Sequence, residues 1–370
     1  MNISAPIWAY PGLASGNFYS RSLRLSLLVN TILKMKRPIA ITFIFALLLQ
    51  TFCLNPAFAS VERKDLIPLG EQLGFPVYEW KDDSLQTKAI IVGFHGMTFY
   101  GLALNDAATH MAAQGYLVYS FDFRGFGHWR DSDPRYKNDG KVHFSQSVED
   151  GKMLINALHA EYPDYKIYCI GESLGSNLIV WALCQETLPI DGAILCGLGV
   201  KNLLHPNPKW LSDFVLGITD PNRPLNLRPY IKGTLSSDKR LTQIYLNDPK
   251  IHNKLCSVEL FKAMITNKKS LQQIELIPED VPLLVLSGDK DRIFKIKALK
   301  DFARIMGPQQ VTCKLMPGRG HLLLELHPMD TDLANTIDTW LDDQVQIKAT
   351  KIPSKDEGAM QMKETASRVL

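Results

Sequence analysis

A serine between two glycines lies at the centre of the segment YCIGESLGS, residues 168–176. The pentapeptide Gly-x-Ser-x-Gly is typical of a nucleophile elbow when a strand precedes it and a helix follows it. A chain of this length and composition contains the same pattern by chance in about one case in ten, so the pentapeptide alone is a weak signal. The segments around it therefore determine whether Ser173 is predicted to be a nucleophile.

Short apolar runs alternate with helical patterns on both sides of this segment. The runs begin at residues 89, 116, 166, 192, 282 and 311, and they read AIIVGFHG, YLVYSFDFRG, KIYCIG, GAILCGLG, PLLVLSGD and VTCKLMPG. They are almost continuously apolar, as in parallel strands that are covered on both faces. Helical patterns lie at 104–114, 145–161, 174–185 and 331–341. We therefore predict an α/β fold with a mostly parallel, doubly wound sheet, in which Ser173 follows a strand and opens a helix.

A seryl hydroxyl needs a base, and the base needs an acid that fixes its tautomer. In folds with a nucleophile elbow, the acid and then the histidine follow the serine at the ends of later strands. Asp289 and Asp291, in SGDKDRI, are the two candidates for the acid. We favour Asp291 because its position three residues after Gly288 lies beyond the end of the strand, whereas Asp289 is typical of a residue that forms a turn. The predicted base is His321, in the loop PGRGHLLLE after the last strand, and His327 is predicted to be a surface residue at a helix start.

Two backbone amides form the predicted oxyanion hole. Leu174 follows the nucleophile, and Met97 follows His95 and Gly96 after the first apolar run. His95 is predicted to shape this loop rather than to transfer protons; a plain turn at the end of the strand is the alternative. We expect no metal and no organic cofactor, because the sequence contains no convincing ligand cluster or phosphate loop.

Five motifs occur in the order found in one known family: HGMTFYG from residue 95, DFRGFGH from 122, GESLGS from 171, GDKDR from 288 and GRGH from 318. Over residues 89–341 the chain thus resembles the monoacylglycerol lipase/lysophospholipase group of α/β-hydrolases, also described as serine aminopeptidase-like. The resemblance implies an α/β-hydrolase fold with a helical cap. It also implies a serine hydrolase that cleaves carboxylic esters, of a monoacylglycerol or a lysophospholipid, through Ser173, Asp291 and His321. Asp122 and Arg124 are implied to organise a loop near the site.

Two positions depart from the pattern of that family. His128-Trp129-Arg130 follow DFRGFG, where the family usually has a small residue and a serine, and this predicts a reshaped loop. The acidic residue often found soon after the HG pair is missing, which leaves the substrate entrance undefined.

An insertion interrupts the alternation between about residues 201 and 278. Its second half is helical in pattern and has the Y-x-x-D-P rhythm of the family's cap from Tyr245 onward. In KWLSDFVLGI, from residue 209, an apolar stripe that includes Trp210 and Phe214 is predicted to line an acyl-chain pocket; packing of the cap onto the core explains the stripe equally well. A peptidase, a thioesterase or a small-ester esterase on the same triad, and a non-catalytic binding protein of this fold, remain as alternatives.

The first 59 residues contain five basic residues and no acidic one. Basic residues precede the apolar run at 39–54, and Ala57-Phe58-Ala59 has the small-x-small pattern of a cleavage site. We therefore predict a signal peptide that begins at Met35, and export to a periplasm or the cell exterior; an uncleaved membrane anchor is the alternative. The rest of the chain has 36 basic and 38 acidic side chains, which gives no indication of nucleic-acid binding.

The hydrolase domain is predicted to span residues 60–343, and the polar residues 344–370 are predicted to be a disordered tail. Five cysteines lie after the predicted cleavage site, and their spacing shows no disulfide framework and no CxxC pair. The expected partner is a small lipid-like ester. Transient contact of an exported lipid hydrolase with a membrane surface is left open.

Overall fold

The computed structural model describes residues 61–131, 133–136, 141–201, 216–217, 219–228, 235, 239–325 and 327–351. The chain divides into two units, residues 1–59 and 60–370, and the description concerns the second. The predicted signal peptide lies outside the described residues.

An eight-stranded sheet forms the centre of the described structure. All strands in chain order are β1 Val61–Lys64, β2 Val77–Asp82, β3 Ile90–Phe94, β4 Leu117–Phe121, β5 Ile167–Glu172, β6 Gly192–Cys196, β7 Pro224–Asn226, β8 Lys254–Cys256, β9 Leu283–Gly288 and β10 Val311–Met316. The sheet has the order β1-β2-β4-β3-β5-β6-β9-β10, and β7 pairs with β8 apart from it. The neighbouring pairs β4–β3, β3–β5, β5–β6, β6–β9 and β9–β10 are parallel. The six predicted strands and the mostly parallel sheet are therefore confirmed.

The antiparallel edge of the sheet, β1 and β2, was not predicted from the sequence. β2 pairs antiparallel with both β1 and β4. Its side chains alternate between buried residues such as Trp80 and less buried ones such as Glu79, and β1 is mostly exposed. An antiparallel edge that faces water on one side lacks the continuous apolar run by which the central strands are recognised.

Helices cover both faces of the sheet. They are α1 Pro68–Leu73, α2 Asn105–Ala113, α3 Phe144–Glu161, α4 Leu174–Gln185, α5 Lys239–Asn247, α6 Ser257–Gln272, α7 Ile296–Met306 and α8 Thr331–Lys351. Side chains of α2 and α8 pack with Ile91 of β3 on one face, and side chains of α3, α4 and α7 pack with Val92 on the other. Successive strand residues point to opposite faces of the sheet. Since helices cover both faces, both positions are buried, and this explains the continuous apolar runs.

The last helix is longer than the sequence predicted. α8 begins at Thr331 as expected but continues past Leu341 to Lys351. The prediction of a disordered tail is therefore wrong for residues 344–351. Val345 follows Leu341 by one helical turn and packs against the same apolar cluster, so the helix keeps a core contact beyond the predicted end. Residues 352–370 lie outside the described part.

The described residues of the insertion between β6 and β9 are only partly helical. They form α5 and α6, as the sequence pattern indicates, together with the antiparallel pair β7–β8, which the pattern did not indicate. α6 packs against α4, the helix that follows Ser173, so the insertion is anchored on the elbow's own helix. Among the described helices, none combines the length and the apolar character that a membrane span requires.

The five cysteines of the described domain are free thiols. Cys169, Cys184 and Cys196 are buried, and burial raises the pKa of each of these thiols above its ordinary value. Cys256 and Cys313 are partly exposed. The sequence left a bridge open, and the described part of the chain contains none.

Candidate active site

Ser173 lies in a sharp turn between β5 and α4. Its φ of +54° is in the left-handed region, which costs a non-glycine residue about 1–3 kcal/mol and persists only where the surroundings enforce it. The Ser173 amide donates a hydrogen bond of 2.8 Å to the Cys196 carbonyl on β6. Gly175 has no room for a side chain, because a Cβ there would lie 2.1 Å from the carbonyl oxygen of Phe94. The segment thus has the nucleophile-elbow geometry that the sequence predicted.

A continuous hydrogen-bonded relay leads from the elbow to an acid. His321 Nε2 lies 2.8 Å from Ser173 Oγ, and His321 Nδ1 lies 2.9 Å from Asp291 Oδ2. Asp291 Oδ1 accepts hydrogen bonds from the amides of Ile293 and Phe294. Burial alone would raise the pKa of Asp291, but the interaction with His321 and these two amides hold it below the ordinary value. The carboxyl group is therefore ionised at neutral pH.

The competing candidates from the sequence lie elsewhere. Asp289 accepts a hydrogen bond of 2.7 Å from the Gly318 amide, as a turn former would, whereas His321 Nδ1 pairs with Asp291. His327 is exposed and pairs with Asp106 at the start of α2. The structure therefore brings together Ser173, His321 and Asp291, the three residues favoured from the sequence.

His95 holds the loop that follows β3. Its buried ring stacks on Phe123 with centroids 3.8 Å apart, and its Nε2 accepts a hydrogen bond from the Phe123 amide. Its Nδ1 donates to the Gly96 carbonyl at 2.8 Å. Burial lowers the pKa of His95 to about 4, so the ring is neutral and both of its nitrogens are engaged. His95 thus has the loop-shaping position that the sequence predicted.

The two predicted oxyanion amides lie in segments that pack together. Leu174 is the first residue of α4, where helix amides have no acceptor within the helix. Met97 follows Gly96, at which a Cβ would lie 3.5 Å from the Glu172 carbonyl oxygen; on the other side, a Cβ at Gly175 would lie 2.7 Å from the His95 carbonyl oxygen. The loop that carries Met97 therefore rests directly on the elbow.

Asp122 ties this loop to the segment DFRGFGHWR. The fully buried carboxylate accepts hydrogen bonds of 2.7 Å from the Tyr78 hydroxyl and from the amides of Gly101 and His128. Trp129 is buried in a short 3₁₀ turn and donates from Nε1 to the Asp122 carbonyl. The departure from the family pattern at 128–130 is therefore this turn, which packs on the Asp122 loop.

Arg124 supports the same segment from the helix side. Its guanidinium forms two hydrogen bonds with Asp150 of α3, at 2.6 and 2.7 Å, and lies 4.3 Å from the centre of the Trp129 ring. Bidentate pairing and stacking fix the orientation of a guanidinium. Arg124 and Asp122 thus have structural contacts, as the resemblance implied.

The insertion forms hydrogen bonds with the loop beside Met97. Thr98 has a φ of +76°, and its hydroxyl lies 2.6 Å from the Tyr245 hydroxyl of α5. The Thr98 carbonyl accepts a hydrogen bond from the His252 amide, and Tyr100 donates to Asp248 at 2.8 Å. The sequence singled out Tyr245 and Asp248 only through the Y-x-x-D-P pattern. Their contacts with this loop join residues about 150 positions apart, so no local sequence pattern indicates them.

Two carboxyl groups that the sequence did not single out also adjoin the site, that of the fully buried Glu172 and that of the partly buried Glu325. The predicted substrate-binding residues Trp210 and Phe214 lie outside the described residues. Within the described part of the chain, no His, Cys, Asp and Glu side chains form a group of three that could hold a metal ion.

The sheet is mostly parallel and has helices on both faces, a serine lies at a strand-to-helix elbow, and an acid and a histidine follow the last strands. These features define an α/β-hydrolase. Residues 86–326 match the family described as serine aminopeptidase, S33, and the chain belongs to this family. Its relatives include the human monoglyceride lipase, 24% identical over 277 residues that cover 72% of this chain and 86% of that one. The monoacylglycerol lipase of Mycolicibacterium smegmatis is also 24% identical, over 72% of this chain and 92% of its own.

Solved structures show the same fold. A soluble variant of monoglyceride lipase from Saccharomyces cerevisiae, in complex with a substrate analog, has a TM-score of 0.61 at 21% identity and covers 73% of this chain and 92% of its own. A highly thermostable carboxyl esterase from Bacillus coagulans, in complex with glycerol, also has a TM-score of 0.61, at 17% identity, and covers 77% of this chain and 99% of its own.

Proposed function

We propose that this protein hydrolyses the ester bond of a monoacylglycerol, with Ser173 as nucleophile, His321 as general base and Asp291 as the acid that orients the imidazole. The observation that carries the proposal is the unbroken relay from Asp291 through His321 to Ser173, at 2.9 and 2.8 Å. A serine, a histidine and a carboxylate in this arrangement perform acyl transfer on several unrelated folds.

In the first half of the reaction, Ser173 Oγ attacks the ester carbonyl and His321 Nε2 takes its proton. The proton on Nδ1 stays in the hydrogen bond to Asp291, whose negative charge stabilises the imidazolium. The carbonyl oxygen becomes an oxyanion, which the amides of Leu174 and Met97 stabilise by hydrogen bonds. His321 then donates the proton to the glycerol oxygen, and the alcohol leaves.

In the second half, the acyl group is bound to Ser173 as an ester. His321, again neutral, removes a proton from a water molecule that attacks the same carbonyl carbon. Collapse of the second oxyanion releases the fatty acid and returns the proton to Ser173. The same histidine therefore acts as base and acid in each half, and the amides of Leu174 and Met97 are used twice.

The relatives support the choice of substrate class. Several of them, from a mammal, a bacterium and a yeast, are named monoglyceride or monoacylglycerol lipases. A lysophospholipid contains the same acyl–glycerol ester with a phosphate on the alcohol, and is therefore the second substrate to compare. The family description also includes an aminopeptidase, so amide cleavage is the alternative reaction.

A substrate panel with the full chain tests the proposal. It contains monoacylglycerols of 8 to about 18 acyl carbons, lysophosphatidylcholine, p-nitrophenyl butyrate and aminoacyl p-nitroanilides. We expect kcat/KM for the best monoacylglycerol to exceed that for the best aminoacyl amide by at least about 100-fold, because an ester carbonyl is more electrophilic than an amide carbonyl and an alcohol is a better leaving group than an amine. An aminoacyl amide as the best substrate would contradict the proposal.

The contact between the insertion and the oxyanion loop leads to a second expectation. Tyr245→Phe should lower kcat about fivefold with little change in KM, because the phenylalanine keeps the ring contact with Phe99 but loses the hydrogen bond that helps hold Thr98 beside Met97. Steady-state kinetics on p-nitrophenyl butyrate measure both parameters.

Tyr100→Phe is the matched control for this variant. It also removes one tyrosine hydroxyl that hydrogen-bonds between the loop and the insertion, in this case to Asp248. Tyr100, however, lies three residues from Met97. A loss in Tyr100→Phe as large as that in Tyr245→Phe would show that the contacts only stabilise the insertion.

A further inference from the structure

Two carboxyl groups connect the three segments of the site. Glu172 ends β5 directly before Ser173 and is fully buried, and its Oε2 accepts hydrogen bonds from the amides of Leu323 and Leu324 at 2.7 and 2.6 Å. Glu325, in the same loop as His321, accepts a hydrogen bond of 2.6 Å from the Gly96 amide through its Oε1. The elbow, the histidine loop and the oxyanion loop are thus joined by side chains to which the mechanism above assigns no part.

The second oxygen of each group has no hydrogen-bond partner within the described residues. These atoms are Glu172 Oε1 and Glu325 Oε2, and both are shielded from solvent. A buried carboxylate oxygen without a partner is costly, so each of the two oxygens needs an explanation. A proton on one of the groups removes one of the two buried charges, and a positive charge that forms nearby stabilises the other.

The surroundings show which group keeps its proton. Burial raises the pKa of both, but for Glu172 the charge of His321 and the two amides act in the opposite direction. Burial and the neighbouring Glu172 raise the pKa of Glu325 well above its ordinary value, against a single amide. Two such groups titrate as a pair, and the negative charge goes to the member with more donors. The negative charge of the pair is therefore better accommodated on Glu172 than on Glu325.

The unpartnered oxygen of Glu172 faces the histidine. Gly197 directly follows β6, and a Cβ there would lie 3.0 Å from Glu172 Oε1 and 3.2 Å from His321 Cε1. Both atoms thus lie close to Gly197, on the side from which a side chain would project. The edge of an imidazole at Cε1 carries partial positive charge, which becomes larger when the ring is protonated.

We propose that Glu172 is a positioning residue of the hydrolysis, whose carboxylate acts with Asp291 to stabilise the His321 imidazolium, while Glu325 keeps its proton and holds the oxyanion loop. The inference rests on the proposed roles of Ser173 and His321. Within the described residues, the carboxyl groups of Asp291, after β9, and Glu172, at the end of β5, then act on the imidazole, and Glu325 adjoins Glu172 from the histidine loop without a charge. Phe294 contacts the ring without charge.

The direction of the effect follows from the charge. Activity falls at low pH when His321 binds a proton and no longer accepts one from Ser173. A second negative charge beside the ring favours that protonated form, so its removal moves the acid limb of the pH–rate profile to lower pH. The same removal lowers the plateau rate, because the imidazolium that forms during attack loses part of its stabilisation.

The experiment compares wild type, Glu172→Gln and Glu325→Gln between pH 5 and 9. Two readouts are used: kcat/KM on p-nitrophenyl butyrate and the rate of labelling by a fluorophosphonate probe. For Glu172→Gln we expect the acid limb to move down by about one pH unit and the plateau rate to fall about tenfold, with little change in KM. Glu325→Gln replaces a neutral group by a neutral group, so the midpoint of its acid limb should stay within about 0.3 pH units of wild type.

An unmoved acid limb in folded Glu172→Gln overturns the inference, and so does an equal downward shift in Glu325→Gln, which would place the charge on the other group. Circular dichroism checks the fold of both variants. If Glu172→Gln does not fold, Glu325→Gln decides alone: an unchanged midpoint supports a protonated Glu325 and a charged Glu172, and a downward shift overturns it. A wild-type protein that takes no label at any pH overturns the proposed function and this inference with it.

Discussion

Ser173→Ala is expected to lower kcat/KM for ester hydrolysis by about 10⁴- to 10⁶-fold. The substitution removes the oxygen that lies 2.8 Å from His321 Nε2, so the imidazole has no hydroxyl to activate. The amides of Leu174 and Met97 stay in place, and for this reason a small rate above that of the uncatalysed reaction should remain. Steady-state kinetics on p-nitrophenyl butyrate and labelling by a fluorophosphonate probe both measure the loss.

Ser176→Ala is the matched control for this variant. The Ser176 hydroxyl is buried three residues further on and donates to the carbonyls of Gly171 and Cys196, so it supports the elbow without contacting His321. Its loss should cost about 1–2 kcal/mol of stability and leave labelling intact. Labelling that survives in Ser173→Ala would contradict the proposed nucleophile. A wild-type protein that takes no label would favour a binding protein of this fold.

Asp291→Asn is expected to lower kcat by about 10³- to 10⁴-fold with little change in KM. Asp291 Oδ1 accepts from two backbone amides, so the oxygen of an asparagine would keep these contacts and its NH₂ group would face His321 Nδ1. Nδ1 would then have to accept a hydrogen bond, the ring proton would move to Nε2, and the ring could no longer take the Ser173 proton. Steady-state kinetics on p-nitrophenyl butyrate give kcat and KM for the variant.

The neighbouring carboxylate is the control. Asp289→Asn removes a charge two residues away, but its hydrogen bond to the Gly318 amide is preserved by the asparagine oxygen. We expect kcat to change less than about threefold, because Asp289 does not contact the imidazole. If Asp289→Asn were the more damaging variant, the acid of the triad would have to be reassigned.

The central sheet could be predicted because its signals are local. Strands such as β3, β5 and β9 are buried on both faces, so each is a continuous apolar run in the sequence. The elbow and the order of acid and histidine follow from this sheet, since the carboxyl ends of parallel strands meet at one edge. β1 and β2 were not predicted because an edge strand is apolar on one side only. The end of α8 was not predicted because, among the described side chains past Leu341, a single valine packs on the core.

The connections between distant segments could not be predicted. Glu172 occupies a position of the Gly-x-Ser-x-Gly pentapeptide at which the pattern accepts any residue. Only the fold brings the histidine loop to Glu172 and the Gly96 amide to Glu325. Thr98 likewise meets Tyr245 across 147 positions. Such contacts depend on how loops pack on the finished sheet, and neither periodicity nor spacing records them. The substrate pocket and the signal peptide stay predictions, because Trp210, Phe214 and the first 60 residues lie outside the described part.

The five thiols of the described domain have a consequence for how the protein is handled. Since the described fold is held by packing and hydrogen bonds and contains no disulfide among these residues, its stability should be the same in reducing and in oxidising solution. The three buried thiols are also poor nucleophiles, because burial disfavours the thiolate. The domain is therefore suited to production in a reducing cytoplasm.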